Sequence, residues 1–337
     1  MSKSEIPQAS YRYLGKAGLR VSIPIFGGMN IGDPNWNAFP LLKAAWDSGV
    51  TTFDLANMYS NGVSEKLVSE FIKENKIPRN KLVLMDKIRY LVDKGDTTTL
   101  TSIFKLDLKN TRDYVNQSGL SRSAILNQFQ DCLERLGTDY LDVLFLHGYD
   151  PQVRSEEIMC TLNDLVRSGK VRYLGLTNFK VWQLVEMNNI AKQHGWTEFS
   201  CVQLEHSLVY RSEEHDMMEY CNYKGMGVLA FNALGQGYLA RPHGTQTPRS
   251  KHYEATPFGM KLRQSDIEII NRIATIAKKY GYTRAQVALL WSLRNITSPI
   301  IGVNNPERLF EAVAIKGKSI TDEDAKYLEE PRFAGQI

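Results

Sequence analysis

Four residues that can hold or transfer a proton stand at or just after the ends of apolar segments in this 337-residue sequence. Asp54 lies in TTFDLA, Tyr59 follows it by five residues, Lys87 lies in LVLMDKI and His147 in DVLFLHG. A phenol has a pKa of about 10 and is a weak acid at neutral pH. A nearby ammonium lowers that pKa, and a carboxylate keeps the ammonium charged and oriented. Brought together, Tyr59 could protonate a carbonyl oxygen to which His147 donates a second hydrogen bond.

The segments that carry these residues alternate with helical patterns. The clearest helical pattern follows Ser121, where Ile125, Phe129 and Cys132 share one face and Gly137 ends the helix. Segments that are nearly continuous in apolar residues are typical of strands covered on both faces. Eight such strands are predicted, at residues 21–27, 51–56, 82–88, 142–148, 173–178, 200–206, 227–234 and 298–302. Strands and helices in this order predict an α/β fold, a single (β/α)8 TIM barrel domain over residues 1–337.

In such a barrel, catalytic groups lie at the C-terminal ends of the strands. Asp54, Lys87 and His147 are therefore expected to meet at one mouth, with Tyr59 in the loop after the second strand. Each residue alone is more often structural or solvated, but four at one mouth favour a catalytic role. Two connections, at about 89–120 and 236–264, are too long for plain turns. Long loops in compact domains are usually lids or walls, so both are predicted at the C-terminal face.

Composition excludes several other classes. The formal charge of +4 is mild and the charges are interspersed, so no nucleic-acid surface is expected. No apolar run approaches the roughly 18 residues of a membrane helix, and the polar N-terminus has no signal core. The four cysteines form no CxxC pair, which indicates reduced thiols and a cytoplasmic protein. The six histidines include no HExxH pattern, so no metal site is predicted.

The order and spacing of Asp54, Tyr59, Lys87 and His147 resemble the catalytic tetrad of the aldo-keto reductases. FDLANMYSNGVSE is similar to the D-x-A-x-x-Y-x-x-G-x-S-E stretch of that family, and LERLGTDYLDVLFLH is equally similar. The resemblance covers nearly the whole chain. Within the family it points to the fungal branch that includes aryl-alcohol dehydrogenases and versiconal hemiacetal acetate reductase. It implies NADPH or NADP+ bound across the barrel mouth without a Rossmann domain, in agreement with the absence of GxGxxG.

The resemblance also implies roles for individual residues. Thr177, Asn178 and Gln203 would hold the nicotinamide carboxamide, and Phe231 would stack on the ring. Asn232, Leu234 and Gln236 would lie around the pyrophosphate, Asn304 and Arg308 at the 2′-phosphate, and Glu311 at the adenine. Further cofactor contacts are expected from Gly28, Met29 and Asp54, and substrate contacts from Trp36, Tyr59 and His147.

The expected function is NADPH-dependent reduction of an aldehyde, ketone or hemiacetal, with reversible alcohol oxidation, on aromatic or polycyclic substrates. The protein would be a monomer or weak homo-oligomer. Two alternatives remain: an NADPH-binding interaction or sensing subunit like the β subunits of potassium channels, and a non-redox dehydratase or isomerase. Four positions depart from the family pattern, at Asp86, His206, Asn304 and Ala312. Asp86 stands where Thr or Ser is usual, so a second carboxylate is expected near the tetrad.

Overall fold

The computed structural model describes residues 6–33, 36–96, 105–247 and 259–333. Eight parallel strands form a closed barrel, in which the third to tenth strands follow one another around the ring. The predicted α/β barrel is therefore confirmed. The strands of the described residues are β1 (Ser10–Tyr13), β2 (Arg20–Ile23), β3 (Ile25–Gly27), β4 (Thr52–Asp54), β5 (Val83–Ile88), β6 (Leu141–Leu146), β7 (Val171–Thr177), β8 (Cys201–Glu205), β9 (Gly227–Phe231) and β10 (Ser298–Ile301).

Helices surround the barrel and cover the outer face of its strands. The helices of the described residues are α1 (Ala38–Asp47), α2 (Val63–Glu74), α3 (Arg122–Leu136), α4 (Ser155–Arg167), α5 (Val181–His194), α6 (Met217–Lys224), α7 (Gln264–Tyr280), α8 (Arg284–Ser292), α9 (Pro306–Val313) and α10 (Asp322–Phe333). The helix predicted after Ser121 is α3, whose first turn is capped by the Ser121 hydroxyl. Gly137 ends it with a φ of 61°, a conformation that glycine adopts without steric cost.

The segment predicted as one barrel strand, residues 21–27, forms two strands, and only the second belongs to the barrel. Arg20–Ile23 forms an antiparallel hairpin with Ser10–Tyr13, and only Ile25–Gly27 belongs to the barrel. Pro24 separates the two strands, and a proline cannot donate a ladder hydrogen bond. The hairpin strand Ser10–Tyr13 was not predicted, because its short sequence SYRY is mostly exposed and has no apolar run.

The hairpin closes the N-terminal end of the barrel. Leu14 and Val21 are fully buried and pack with the inward-facing side chains of the barrel strands, among them Met85, Val143 and Phe145. Side chains alternate between the two faces of a strand. The inward positions are therefore 85 and 87 in β5, and 143 and 145 in β6. Residues 89 and 147 continue these two series toward the C-terminal mouth.

The four cysteines are free, and Cys132, Cys201 and Cys221 are buried. Within the described ranges, no helix combines the length and the apolar character needed to cross a membrane. That the whole chain forms one domain stays a prediction.

Candidate active site

The ammonium group of Lys87 lies at the centre of a buried polar cluster at the C-terminal mouth. Its Nζ donates to Asp54 Oδ2 at 2.7 Å, to the Leu55 carbonyl at 2.8 Å and to Tyr59 Oη at 3.1 Å. Lys87 is fully buried, and burying a charge is costly unless it is paired and hydrogen-bonded. Three acceptors match the three N–H donors of a lysine. The cluster therefore holds Lys87 charged and fixed against Tyr59.

Strand register accounts for this convergence. Asp54 is the last residue of β4 and pairs with Met85 of β5, two residues before Lys87. The Ile88 carbonyl accepts from the His147 N–H at 3.0 Å, so the ladder between β5 and β6 continues past both strand ends. The structure thus brings Asp54, Lys87 and His147 together at one mouth, as the sequence suggested.

Tyr59 begins a tight turn, Tyr59–Gly62, directly after β4. Ser60 and Asn61 adopt left-handed backbone conformations, with φ of 47° and 48°, which cost roughly 1–2 kcal/mol for a residue other than glycine. The Asn61 side chain offsets this cost by donating to the Asp96 carbonyl at 2.6 Å and accepting from the Asp93 N–H at 3.1 Å. The turn that carries Tyr59 is therefore anchored to the segment after β5.

That segment is the base of the long connection from Arg89 to Leu120. The buried Asp93 carboxylate accepts from Lys105 Nζ at 3.1 Å and from the Tyr114 hydroxyl at 3.2 Å. Leu91 is buried, whereas Ile103 and Phe104, two apolar residues of the same connection, lie outside the described residues. The loop as a wall of the substrate pocket stays a prediction.

His147 is half-buried between two tyrosine rings. It meets Tyr59 edge to face, with ring centroids 6.1 Å apart, and Tyr90 in the same way at 5.1 Å. Within the described residues, its buried Nδ1 has no hydrogen-bond partner. Burial, together with the positive charges of Lys87 and Arg89, lowers the pKa of His147 well below its ordinary value of 6.5. The imidazole is therefore neutral and can donate one ring N–H.

The pKa of Tyr59 differs from the expectation. Burial raises it, Lys87 lowers it and Asp54 raises it, and the net shift is upward from 10.0. The prediction that Lys87 lowers the phenol below its ordinary pKa is therefore wrong for the net shift, because the loss of hydration outweighs the ammonium. For Lys87 itself, burial lowers the pKa, but Asp54 and Tyr59 together raise it by more. The net shift in the pKa of Lys87 is therefore upward from 10.5. Tyr59 thus stays protonated and Lys87 stays charged at neutral pH.

The residues predicted at the nicotinamide end lie on neighbouring strands. Gln203 Nε2 donates to Asp54 Oδ1 at 2.7 Å, so this amide also fixes the second carboxylate oxygen of the cluster. Gln203, Asn178 and Phe231 line a cavity of about 100 Å³, and Thr177 is buried at the end of β7.

Gly28 and Met29 follow β3 directly. The Gly28 N–H donates to the Asp54 carbonyl at 2.9 Å, and a Cβ at Gly28 would lie 2.4 Å from Leu55 Cδ2. A side chain at position 28 would therefore displace the buried Leu55 side chain, where β3 approaches β4 closely. Met29 is half-buried beside it.

A larger cleft of about 360 Å³ lies over β9 and β10. It is lined by all the residues predicted for the pyrophosphate and adenosine, namely Asn232, Leu234, Gln236, Asn304, Arg308 and Glu311. Arg308 Nη1 donates to Asn304 Oδ1 at 2.9 Å, and Asn305 caps the first turn of α9. Trp36, which was predicted as a substrate wall, also lines this cleft.

The site also contains residues that were not predicted from the sequence. Gly302, Val303 and Arg241 line the large cleft, and Arg89 and Tyr90 lie beside His147. The alternation of β5 was a sufficient signal for Arg89, because it occupies the next inward position after Lys87.

Asp86 lies near the tetrad, as expected, and its charge contributes to the upward shift in the pKa of Tyr59. Its side chain nevertheless points out of the barrel, where burial and the neighbouring Glu65 of α2 raise its own pKa well above the ordinary value. Strand alternation is the reason, because adjacent residues of β5 face opposite sides. His206 contacts other groups: it stacks on Trp291 and its Nε2 lies 2.8 Å from Glu214 Oε1.

Comparisons with known proteins agree with this geometry. The Aldo/keto reductase family model matches residues 25–332. An aldo-keto reductase of Fusarium vanettenii is 40% identical over 340 residues, which cover 96% of this chain and 91% of that protein. Versiconal hemiacetal acetate reductase of Aspergillus parasiticus is 39% identical over 95% of this chain and 96% of its own. A putative aryl-alcohol dehydrogenase of Schizosaccharomyces pombe is 39% identical over 97% of both chains.

Proposed function

The chain belongs to the aldo/keto reductase family, and we propose that it is an NADP-dependent enzyme that reduces the carbonyl group of an aldehyde, ketone or ring-opened hemiacetal. The reverse oxidation of the alcohol would use the same groups. The observation that carries this proposal is the hydrogen bond of 3.1 Å between Lys87 Nζ and Tyr59 Oη, with Asp54 behind the lysine.

In this proposal Tyr59 donates its phenolic proton to the carbonyl oxygen as the carbonyl carbon is reduced. Lys87 then stabilises the phenolate, and Asp54 keeps Lys87 charged throughout. His147, which is neutral, donates a hydrogen bond to the same oxygen, so two fixed donors meet the charge that develops there. The phenolate regains its proton from water after the alcohol leaves, which balances the reaction.

The residues around the two cavities fit a phosphorylated dinucleotide. The large cleft offers amide groups at Asn232 and Gln236 and the cationic Arg308, a donor set suited to phosphate groups. Among the described residues no carboxylate forms an ion pair with Arg308, so its charge is available for a 2′-phosphate. The smaller cavity offers the Asn178 and Gln203 amides and the Phe231 ring. When bound, the cofactor would supply the hydride that reduces the carbonyl carbon.

An aromatic or polycyclic substrate is supported by the rings at the mouth. The rings of Tyr59 and Tyr90 both meet His147 edge to face. Apolar and aromatic surfaces are typical linings of small-molecule pockets. The names of the relatives from Aspergillus parasiticus and Schizosaccharomyces pombe point in the same direction. We also propose a cytoplasmic, monomeric or weakly associating protein, which size-exclusion chromatography at several concentrations would test.

The decisive experiment follows the loss of NADPH absorbance at 340 nm with aryl, aliphatic and cyclic carbonyl compounds, and identifies the products by mass spectrometry. The proposal requires many turnovers per protein molecule and one cofactor oxidised per carbonyl reduced. A cofactor that binds but turns over no more than once would instead favour a sensing subunit. Substrate loss without cofactor oxidation would favour a dehydratase or isomerase that uses Tyr59 or His147 as a base.

A further inference from the structure

Arg89 is the first residue after β5, and its position follows from the alternation of that strand. Met85 and Lys87 face the barrel interior, so Arg89 takes the next inward position, roughly 7 Å further toward the mouth. The Ile88 carbonyl accepts from the His147 N–H, which places His147 directly across from Arg89 on the neighbouring strand.

Two backbone hydrogen bonds fix Arg89 in this place. Its N–H donates to Gln128 Oε1 at 2.9 Å, and its carbonyl accepts from the Gly119 N–H at 2.7 Å. The side chain then passes close to the chain after His147, because a Cβ at Gly148 would lie 3.0 Å from Arg89 Nη1. Gly148 therefore leaves space for the guanidinium beside the chain that follows His147.

Arg89 is half-buried, and few protein groups among the described residues interact with its guanidinium. Its Cζ lies 4.9 Å from the centre of the Tyr90 ring, a cation–π contact. In the parts of the chain that the structure describes, its side chain forms no ion pair and donates no hydrogen bond. An arginine carries five N–H donors, and a partly desolvated charge without such partners is costly. Its charge also reaches His147, whose pKa it helps to lower.

We propose that Arg89 binds a carboxylate of the substrate, so that the enzyme prefers carbonyl compounds that carry an acidic group. This inference rests on the proposed reductase function and specifies its substrate class. A guanidinium matches a carboxylate with two parallel N–H···O bonds, which gives orientation as well as affinity. Tyr90, between Arg89 and His147, offers a ring face or edge to the aromatic body of such a substrate.

The cofactor is a poor candidate for the same cation. The residues proposed to hold its phosphates lie on or after β9 and β10, whereas Arg89 follows β5. In the barrel order β10-β3-β4-β5-β6-β7-β8-β9, β5 and β9 are four strands apart in either direction. They are therefore on opposite sides of the mouth, and Arg89 is on the side of Tyr59 and His147.

The test compares 3- and 4-formylbenzoate with the corresponding formylbenzamides, which have nearly the same shape but no charge. We expect the wild-type protein to favour the carboxylates in kcat/KM by at least about tenfold. Arg89→Met should lower kcat/KM for the carboxylates by about 10- to 100-fold, mainly through KM, and change it for the amides by less than about twofold. Arg89→Lys, which keeps the charge but loses the planar fork, should retain part of the preference.

Arg112→Met is the matched control, because Arg112 belongs to the same long connection but is exposed and, among the described residues, pairs only with Asp113. It should leave both substrate classes unchanged. Equal losses for carboxylates and amides in Arg89→Met would show a structural role and overturn the inference, as would an unchanged ratio.

Calorimetry separates a failure of the site from a failure of the proposed function. Benzoate should bind to the protein saturated with NADP+ at least about tenfold more tightly than benzamide, and Arg89→Met should abolish that difference. If no carbonyl compound is reduced but benzoate binding depends on Arg89, the proposed function fails and the anion site stands. If carbonyl compounds are reduced and benzoate binds equally to both proteins, the anion site is overturned.

Discussion

Lys87 Nζ lies 2.7 Å from Asp54 Oδ2, and neither side chain is accessible to water beyond a few per cent. The pair is completed by Gln203 on the carboxylate and by Tyr59 on the ammonium. Removing one member of a buried pair leaves the other without compensation, at a cost of roughly 3–5 kcal/mol. The stability of the barrel mouth and the reactivity of Tyr59 therefore depend on the same two charges.

Lys87→Met should lower the free energy of unfolding by about 3–5 kcal/mol, because Asp54 then remains buried without a counter-charge. Lys87→Met combined with Asp54→Asn should recover much of this loss, since the uncompensated charge is gone. Neither the single nor the double variant should be active. Urea unfolding and kcat measurements check both points, and equal stability of the single and double variants would contradict the explanation.

Tyr59→Phe should reduce kcat by at least about a hundredfold, because general acids typically contribute 10²–10⁴-fold. The change keeps the ring and removes only the hydroxyl, so NADPH affinity and folding should stay close to wild type. Stopped-flow turnover and cofactor titration by fluorescence provide the two readouts. A variant that retains more than about a tenth of the wild-type kcat would exclude Tyr59 as the acid.

The rate of carbonyl reduction should be nearly independent of pH between about 6 and 9. Tyr59 acts as an acid only while protonated, and its raised pKa moves the loss of activity to pH values above the ordinary phenol value of 10.0. The lowered pKa of His147 keeps the imidazole neutral, so no change is expected as the pH crosses 6.5. A pH profile of kcat with a stable aldehyde tests this, and a decrease in rate centred between pH 6 and 9 would contradict it.

Arg308→Ala should weaken NADPH binding by about 10- to 100-fold and leave NADH binding nearly unchanged. The reason is that a charge-assisted hydrogen bond to the 2′-phosphate contributes roughly 1.5–3 kcal/mol. Arg308→Lys is the control that keeps the charge and should lose less. Calorimetric titration with each cofactor gives the comparison, and equal losses for the two cofactors would place Arg308 elsewhere in the cleft.

Asp86→Asn should raise the free energy of unfolding at neutral pH by about 1–3 kcal/mol. An asparagine can still accept from the Lys87 N–H, as Asp86 Oδ1 does at 2.8 Å, and can also donate to Glu65. Because the folded-state pKa of Asp86 is raised, its contribution to stability is present at low pH and is lost as the pH rises through that pKa.

Thermal unfolding between pH 4 and 8 should show this decline as a loss of wild-type stability relative to Asp86→Asn, a comparison in which the opposite contribution of His147 cancels. Glu65→Gln is the contrasting variant: it should destabilise the protein, because Arg135 donates to both Glu65 oxygens, at 2.6 and 3.2 Å. A wild-type stability that, relative to Asp86→Asn, stays constant or rises over the same pH range would show that Asp86 is ionised in the folded protein.

The barrel and the convergence of the four polar residues could be predicted, because both follow from short-range patterns. Apolar runs mark buried strands, and a strand end fixes the position of Asp54 or Lys87 whatever the rest of the chain does. The side of the strand on which Asp86 lies also follows from alternation, but only once the inward residue is known. The hairpin strand Ser10–Tyr13 could not be predicted, because tertiary pairing rather than local composition makes it a strand.

The electrostatics of the site depend on distances that no sequence pattern contains. The upward shift in the pKa of Tyr59 reflects a balance among burial, Lys87 and Asp54. The position of Trp36 in the large cleft depends in the same way on tertiary structure rather than on local sequence.

The hairpin of β1 and β2 has a consequence for how this protein can change. It seals the N-terminal end of the barrel with Leu14 and Val21, whereas Asp54, Tyr59, Lys87 and His147 lie at the opposite end. Part of the core that holds the barrel together therefore lies far from the candidate catalytic groups. Directed evolution of substrate range can alter side chains at the rim around Arg89 and Tyr90 without changing the contacts of Leu14 and Val21.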